Sequence, residues 1–172
     1  MGDKRIESLV YTGHALRQMY ARAINDIDVR AVVQKGEVIA SYPEDTPYPS
    51  ELLLGFPEGR PLHVVLAYNE RKRTGYMMTA YPPRPGVMER RLQSEEESMT
   101  CLICKQGEAK PGRTTVTMQR GACTVIFKGV PADVCENCGE YYVSESVARD
   151  LLRRAEIAVQ NGAEVEILAY AA

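Results

Sequence analysis

The chain has 172 residues, of which 45% are hydrophobic and 26% are charged, a balance typical of soluble globular proteins. Its formal net charge of −2 gives no global basic surface of the kind that nucleic-acid-binding proteins usually carry. No apolar run approaches the roughly 18 residues of a membrane span, and the N-terminus lacks the apolar core of a signal peptide. We therefore expect a cytoplasmic protein without membrane contact.

The first part of the chain predicts two helices followed by a series of strands. Between residues 12 and 24, apolar side chains recur at helical spacing, and Thr12 can cap this helix. A second helix is predicted at 28–35, and Gly36 ends it. Four strands are then predicted, at 37–42, 51–56, 62–68 and 75–81. Their short connections favour an antiparallel meander, so the expected fold is α+β, with two helices on a curved antiparallel sheet.

The candidates for chemistry in this part are both histidines of the chain, a tyrosine and two arginines. They are His14, Arg17, Arg22, His63 and Tyr81. Such side chains suit RNA cleavage without a metal ion. A base removes the 2′-hydroxyl proton, an acid protonates the departing 5′-oxygen, and guanidinium groups stabilise the charge on the phosphorane. A hydrogen-bonded structural His63 and a packing Tyr81 are the alternatives.

An acidic run marks the predicted domain boundary. Glu95, Glu96 and Glu97 lie between two serines, and such a polar stretch cannot bury itself. We therefore expect a first domain at 1–94, an acidic linker at 95–98 and a second domain at 99–172.

Four of the five cysteines form two Cys-x-x-Cys pairs. They are Cys101, Cys104, Cys135 and Cys138. Two such pairs supply the four thiolates of a tetrahedral zinc site, and we expect one structural Zn²⁺. Gly139 allows the positive-φ turn that aims backbone N–H groups at the sulfurs. A redox pair, two disulfides and an iron site are the other interpretations, and disulfides would need an oxidising compartment. The fifth cysteine, Cys123, is expected to be a buried free thiol.

The sequence around the cysteines predicts a zinc ribbon, followed by a helix and a terminal strand. The segments 114–119 and 123–128 predict a hairpin. Ser144 can cap a helix that ends at Asn161-Gly162. The alternating segment 164–170 predicts an edge strand that could extend the sheet of the first domain. Only residues 162–172 follow the helix, so we expect no helix-turn-helix domain and no DNA binding.

Stretches in both parts of the chain resemble known families. Five stretches of the first part resemble a family of small bacterial toxins. These toxins are encoded beside YgiT-type zinc-finger antitoxins and are related in organisation to the MqsR/MqsA pair. The stretches are His14–Ile24, Gly36–Ile39, Glu51–Gly55, Arg60–Val65 and Thr79–Pro82. The zinc domain of YgiT/MqsA-type antitoxins is similar to Met99–Cys104, to Val130–Tyr142 and to the helix that follows.

These resemblances imply a toxin–antitoxin pair on one chain. The first domain would have a RelE/MqsR-like fold and act as an mRNA interferase, an endoribonuclease whose partner is RNA. The zinc-binding second domain would bind it, within or between chains, and inhibit it in the full chain. Two other hypotheses remain: a non-catalytic zinc-ribbon regulatory protein whose first domain senses a ligand or partner, and a structural adaptor.

Overall fold

The computed structural model describes residues 6–83 and 100–170. These residues form an α+β fold with one sheet of nine strands and three α-helices. The strands are β1 (Ser8–Thr12), β2 (Glu37–Tyr42), β3 (Ser50–Gly55), β4 (Leu62–Asn69), β5 (Thr74–Tyr81), β6 (Ala109–Arg120), β7 (Cys123–Cys135), β8 (Tyr141–Ser144) and β9 (Val165–Ala169). The helices are α1 (Gly13–Ala21), α2 (Asp26–Lys35) and α3 (Glu145–Gln160).

Local sequence signals set the helix ends. The side chains of Thr12, Asn25 and Ser144 cap the N-termini of α1, α2 and α3, and each accepts the backbone N–H of the third residue of its helix. α3 ends where Gly162 adopts a φ of +70°, as predicted. α1 is shorter than the predicted helix, because Ala23 adopts a φ of +53° just beyond its last turn.

The sheet runs without interruption through both parts of the chain. Its strand order is β2-β3-β4-β5-β1-β8-β7-β6, and the antiparallel meander predicted for β2 to β5 is confirmed. β1, which the sequence reading did not identify, pairs in parallel with β5 and antiparallel with β8. In these ladders Tyr11 lies opposite Met77, and Thr12 lies opposite Tyr142. Among the described residues, this strand of five residues joins the two parts of the sheet.

Two hydrophobic clusters lie on opposite faces of the sheet, because alternate residues of a strand point to opposite sides. The larger cluster combines residues of the first part, such as Leu16 and Val64, with residues of the second, such as Phe127 and Leu151. All three helices contribute to it. The smaller cluster contains two of the paired cysteines together with side chains of β4, β5 and β8. The two parts of the chain therefore share their hydrophobic core.

The terminal strand forms, but its predicted partner is wrong. β9 pairs in parallel with β7, with Ile167 opposite Ile126, and extends no strand of the first part. The reason is the length of β7, because β8 pairs only with Asp133 and Val134 and leaves the segment 124–128 open on that edge. The predicted hairpin of β6 and β7 is confirmed. β8 makes the connection to the first part instead.

The predicted boundary and the acidic linker at 95–98 lie outside the described residues, so the division into domains stays a prediction. Among the helices of 6–83 and 100–170, none has the length and apolar character needed to cross a membrane.

Candidate metal centre and the covered end of helix α1

The structure brings the four paired cysteines together. Their sulfur atoms all lie within 4.8 Å of one another. Two of these distances, Cys101 Sγ to Cys138 Sγ and Cys104 Sγ to Cys135 Sγ, are 3.6 and 3.7 Å. A tetrahedral ion with bonds of about 2.3 Å needs sulfurs roughly 3.8 Å apart. All five cysteines, including the buried Cys123, are free thiols. The four sulfurs could therefore hold a metal ion.

The two loops that carry the cysteines have the same backbone geometry. Lys105 and Gly139, each directly after a cysteine pair, adopt φ values of +58° and +74°. Their N–H groups donate to the carbonyls of Cys101 and Cys135, at 2.8 and 3.0 Å. At Gly107 any Cβ would lie 2.7 Å from the Cys135 sulfur, so the loops close only around a glycine. These loops therefore present four sulfurs to one point, as a metal site requires.

The electrostatics of the loops favour a thiolate. Burial raises the pKa of the Cys104 thiol, but hydrogen bonds from the Gln106 and Gly107 backbone and the Asn137 side chain outweigh it and lower this pKa to about 6. Burial raises the pKa of Cys138 to about 12. The lowered pKa favours the thiolate form of Cys104, which is the form that a metal ion binds.

The cluster of four cysteines packs against the sheet of the first part of the chain. Cys101, Cys135 and Leu102 share a hydrophobic cluster with Ala67 and Tyr76. On the same face, the rings of Tyr48 and Tyr76 stack at 5.3 Å between centroids. The cysteine loops therefore cover part of the sheet face that the helices leave free.

The second part of the chain also covers the start of α1, where two of the predicted site residues lie. The His14 amide donates to Glu140 Oε1 at 2.8 Å, and Arg17 Nη2 lies 3.7 Å from Glu140 Oε2. Arg17 Nη1 donates to the Tyr141 hydroxyl at 3.1 Å, and its guanidinium lies over the Tyr141 ring. A Cβ at Gly13 would lie 2.4 Å from Tyr141 Cζ, so the ring packs directly on the backbone of the first turn.

The other three predicted site residues lie beyond the far end of α1. His63 and Tyr81 are opposite each other in the sheet, with ring centroids 5.2 Å apart in an edge-to-face arrangement. Arg22 donates to the carbonyl of Ala80, directly before Tyr81, at 3.2 Å. Burial lowers the pKa of His63, and among the described residues its Nδ1 has no hydrogen-bond partner. Burial thus favours the neutral imidazole of His63.

The five predicted residues therefore occupy two places rather than one. His14 and Arg22 are eight positions apart along α1, which separates them by about 12 Å along the helix axis. The sequence does not predict the roles of Glu140 and Tyr141, which connect the cysteine loops to α1. The sequence feature that could have indicated their role is their position shortly after the second cysteine pair.

Residues 11–82 are similar to a family described as a domain of unknown function, DUF4258. This match ends before the cysteine pairs, and neither a RelE/MqsR-type nor a YgiT-type family matches the chain. No curated protein and no solved structure matches it.

Proposed function

We propose that this chain is a toxin–antitoxin fusion. Its first part is a metal-independent endoribonuclease of the RelE/MqsR-like toxin type, acting on single-stranded RNA. Its second part is a YgiT/MqsA-type zinc-binding antitoxin that inhibits the first. The observation that carries the proposal is the position of the Glu140 carboxylate at the start of α1. There it accepts a hydrogen bond from the His14 amide and lies beside the Arg17 guanidinium.

The groups at this end of α1 are those that bind phosphate in proteins. A helix N-terminus presents free N–H groups and a partial positive charge, and a guanidinium matches the oxygens of a phosphate. In the full chain a carboxylate of the second part satisfies these groups, and the side chain of Glu140 is only 11% exposed. We infer that Glu140 takes the place of an RNA phosphate and so keeps RNA out.

His63 and Tyr81 are the proposed catalytic pair. The neutral His63 imidazole removes the 2′-hydroxyl proton, and the 2′-oxygen attacks the phosphorus. The P–O5′ bond breaks, a 2′,3′-cyclic phosphate forms, and the 5′-oxygen takes its proton from the Tyr81 phenol. Arg22, held beside Tyr81 through the Ala80 carbonyl, is placed to stabilise the phosphorane.

Zinc is the metal that best suits four thiolates in tetrahedral arrangement. Cys101, Cys104, Cys135 and Cys138 would hold it, and a Zn²⁺ held by four thiolates has no open position for substrate. Its contribution is to fix the fold of the second part. The cysteine loops then form the support from which Glu140 and Tyr141 reach α1.

The test is RNA cleavage by the purified full chain. Metal-loaded wild-type protein and the Glu140→Ala variant are incubated with a single-stranded RNA that carries a fluorophore and a quencher. We expect no cleavage by the wild type and cleavage by Glu140→Ala that disappears in Glu140→Ala/His63→Ala. Glu136→Ala, which removes an exposed acid of the same cysteine loop, should remain inactive.

Two outcomes contradict the proposal. Cleavage that survives the loss of His63 would point to a contaminating nuclease. A Glu140→Ala protein that binds RNA without cutting it would favour the non-catalytic zinc-ribbon regulator instead.

A further inference from the structure

Three consecutive residues of the second part, Glu140, Tyr141 and Tyr142, lie between the cysteine loops and the first part. On the side of the cysteines, the buried Tyr142 hydroxyl donates to Cys101 Sγ at 3.2 Å and accepts the Leu102 amide at 2.8 Å. The Cys135 amide donates to the Glu140 carbonyl at 2.8 Å. Both cysteine pairs therefore hold this segment.

The same three residues also contact the first part of the chain. Tyr142 pairs with Thr12 in the ladder between β1 and β8. Tyr141 packs on Gly13, and Glu140 binds the His14 amide and Arg17. The segment is thus one short piece of backbone with the cysteine centre on one side and the start of α1 on the other.

We propose that the metal centre controls this covering contact, and that Tyr142 is the positioning residue that links the two. A metal ion fixes Cys101 and Cys135, which hold the Tyr142 hydroxyl and the Glu140 backbone. Loss of the ion frees both anchors, so Glu140 leaves the His14 amide and exposes that N–H to water. The biological meaning of this exposure rests on the proposed function, whereas the structural link does not.

The response to metal loss is expected to be local. Cys101, Cys135 and Tyr142 belong to the smaller hydrophobic cluster. The larger cluster, which holds α3 against the sheet, contains Cys123 but none of the four paired cysteines. Losing the ion therefore weakens the support of Tyr142 and of the loop before β8, while Tyr141, Val143 and α3 keep their packing in the larger cluster.

The test is amide hydrogen exchange on the full chain, followed residue by residue. After removal of the metal by a chelator, we expect the His14 amide to exchange about tenfold faster or more, while the central amides of α3 change by less than about twofold. Metal-loaded Tyr142→Phe keeps all four thiolates and should bind one ion per chain. The variant should nevertheless show faster exchange at His14, because it lacks the hydroxyl that bonds Cys101 Sγ and the Leu102 amide. Tyr170→Phe, at a phenol near Arg154, is the matched control and should behave as the wild type.

Three results would overturn the inference. One is an unchanged His14 exchange rate in protein shown to be free of metal. Another is uniform acceleration that includes α3, which would mean global unfolding. The third is wild-type exchange at His14 in fully metal-loaded Tyr142→Phe. The chelation experiment needs no variant, and neither measurement involves RNA, so failure of the proposed nuclease leaves this test intact.

Discussion

Glu140 should contribute measurably to the stability of the full chain, because it connects the two parts through a charged hydrogen bond. The bond from the His14 amide, at 2.8 Å, contributes about 1.5–3 kcal/mol. The ion pair with Arg17 adds at most about 1 kcal/mol, because the Arg17 side chain is 43% exposed. Water can replace the carboxylate at the exposed His14 amide, so we expect Glu140→Ala to lower the free energy of unfolding by about 2 kcal/mol.

The assay is chemical and thermal unfolding of metal-saturated protein. For a chain of this size, 2 kcal/mol corresponds to a fall in Tm of roughly 4–8 °C. Glu136→Ala is the matched control, since Glu136 pairs with Lys110 at 2.8 Å but both side chains are more than half exposed. Its cost should stay below about 0.5 kcal/mol. Equal losses of stability in the two variants would refute the contact that we assign to Glu140.

Three further predictions follow from single sites. Gly13→Ala should destabilise the chain by about 2 kcal/mol, because the new methyl group collides with the Tyr141 ring. Gly112→Ala should leave the stability unchanged, because a Cβ there has room. Thermal unfolding of the two variants measures the difference. Cys104→Ser should abolish binding of one zinc ion per chain, and Cys123→Ser should retain it, as native mass spectrometry would show; equal zinc content would contradict the assignment. Burial lowers the pKa of His63, so the folded chain favours the neutral imidazole. The stability that the neutral imidazole contributes is complete above pH 6.5 and is lost as the pH falls through the pKa of the folded chain. An NMR titration midpoint of His63 at or above pH 6.5 would contradict this.

Much of the fold follows from local signals in the sequence. Thr12, Asn25 and Ser144 each have a short polar side chain at the start of a helix, and each caps one. The alternating strands of the meander end at turns within a few residues of the predicted limits. The cysteine spacing likewise predicts the cluster of four sulfurs, because two short loops impose it.

The features that the sequence reading missed depend on contacts between distant residues. β1 is only five residues long, and its partners lie in the segments 74–77 and 142–144. β9 has the expected alternation, yet its partner is set by the open edge of β7. Glu140 acquires its role only through this pairing, which brings it beside His14. No local pattern reports such neighbours, because they arise from the packing of the whole sheet.

The inhibition of the first part by the second is tested most directly by separating the two parts inside a cell. Residues 1–94 and 95–172 are expressed together as two chains from separate promoters, and expression of the second is then stopped. We expect growth to stop as the second chain disappears, and we expect His63→Ala in the first chain to restore growth. Continued growth, while wild-type residues 1–94 persist at an unchanged level without their partner, would contradict the proposed function.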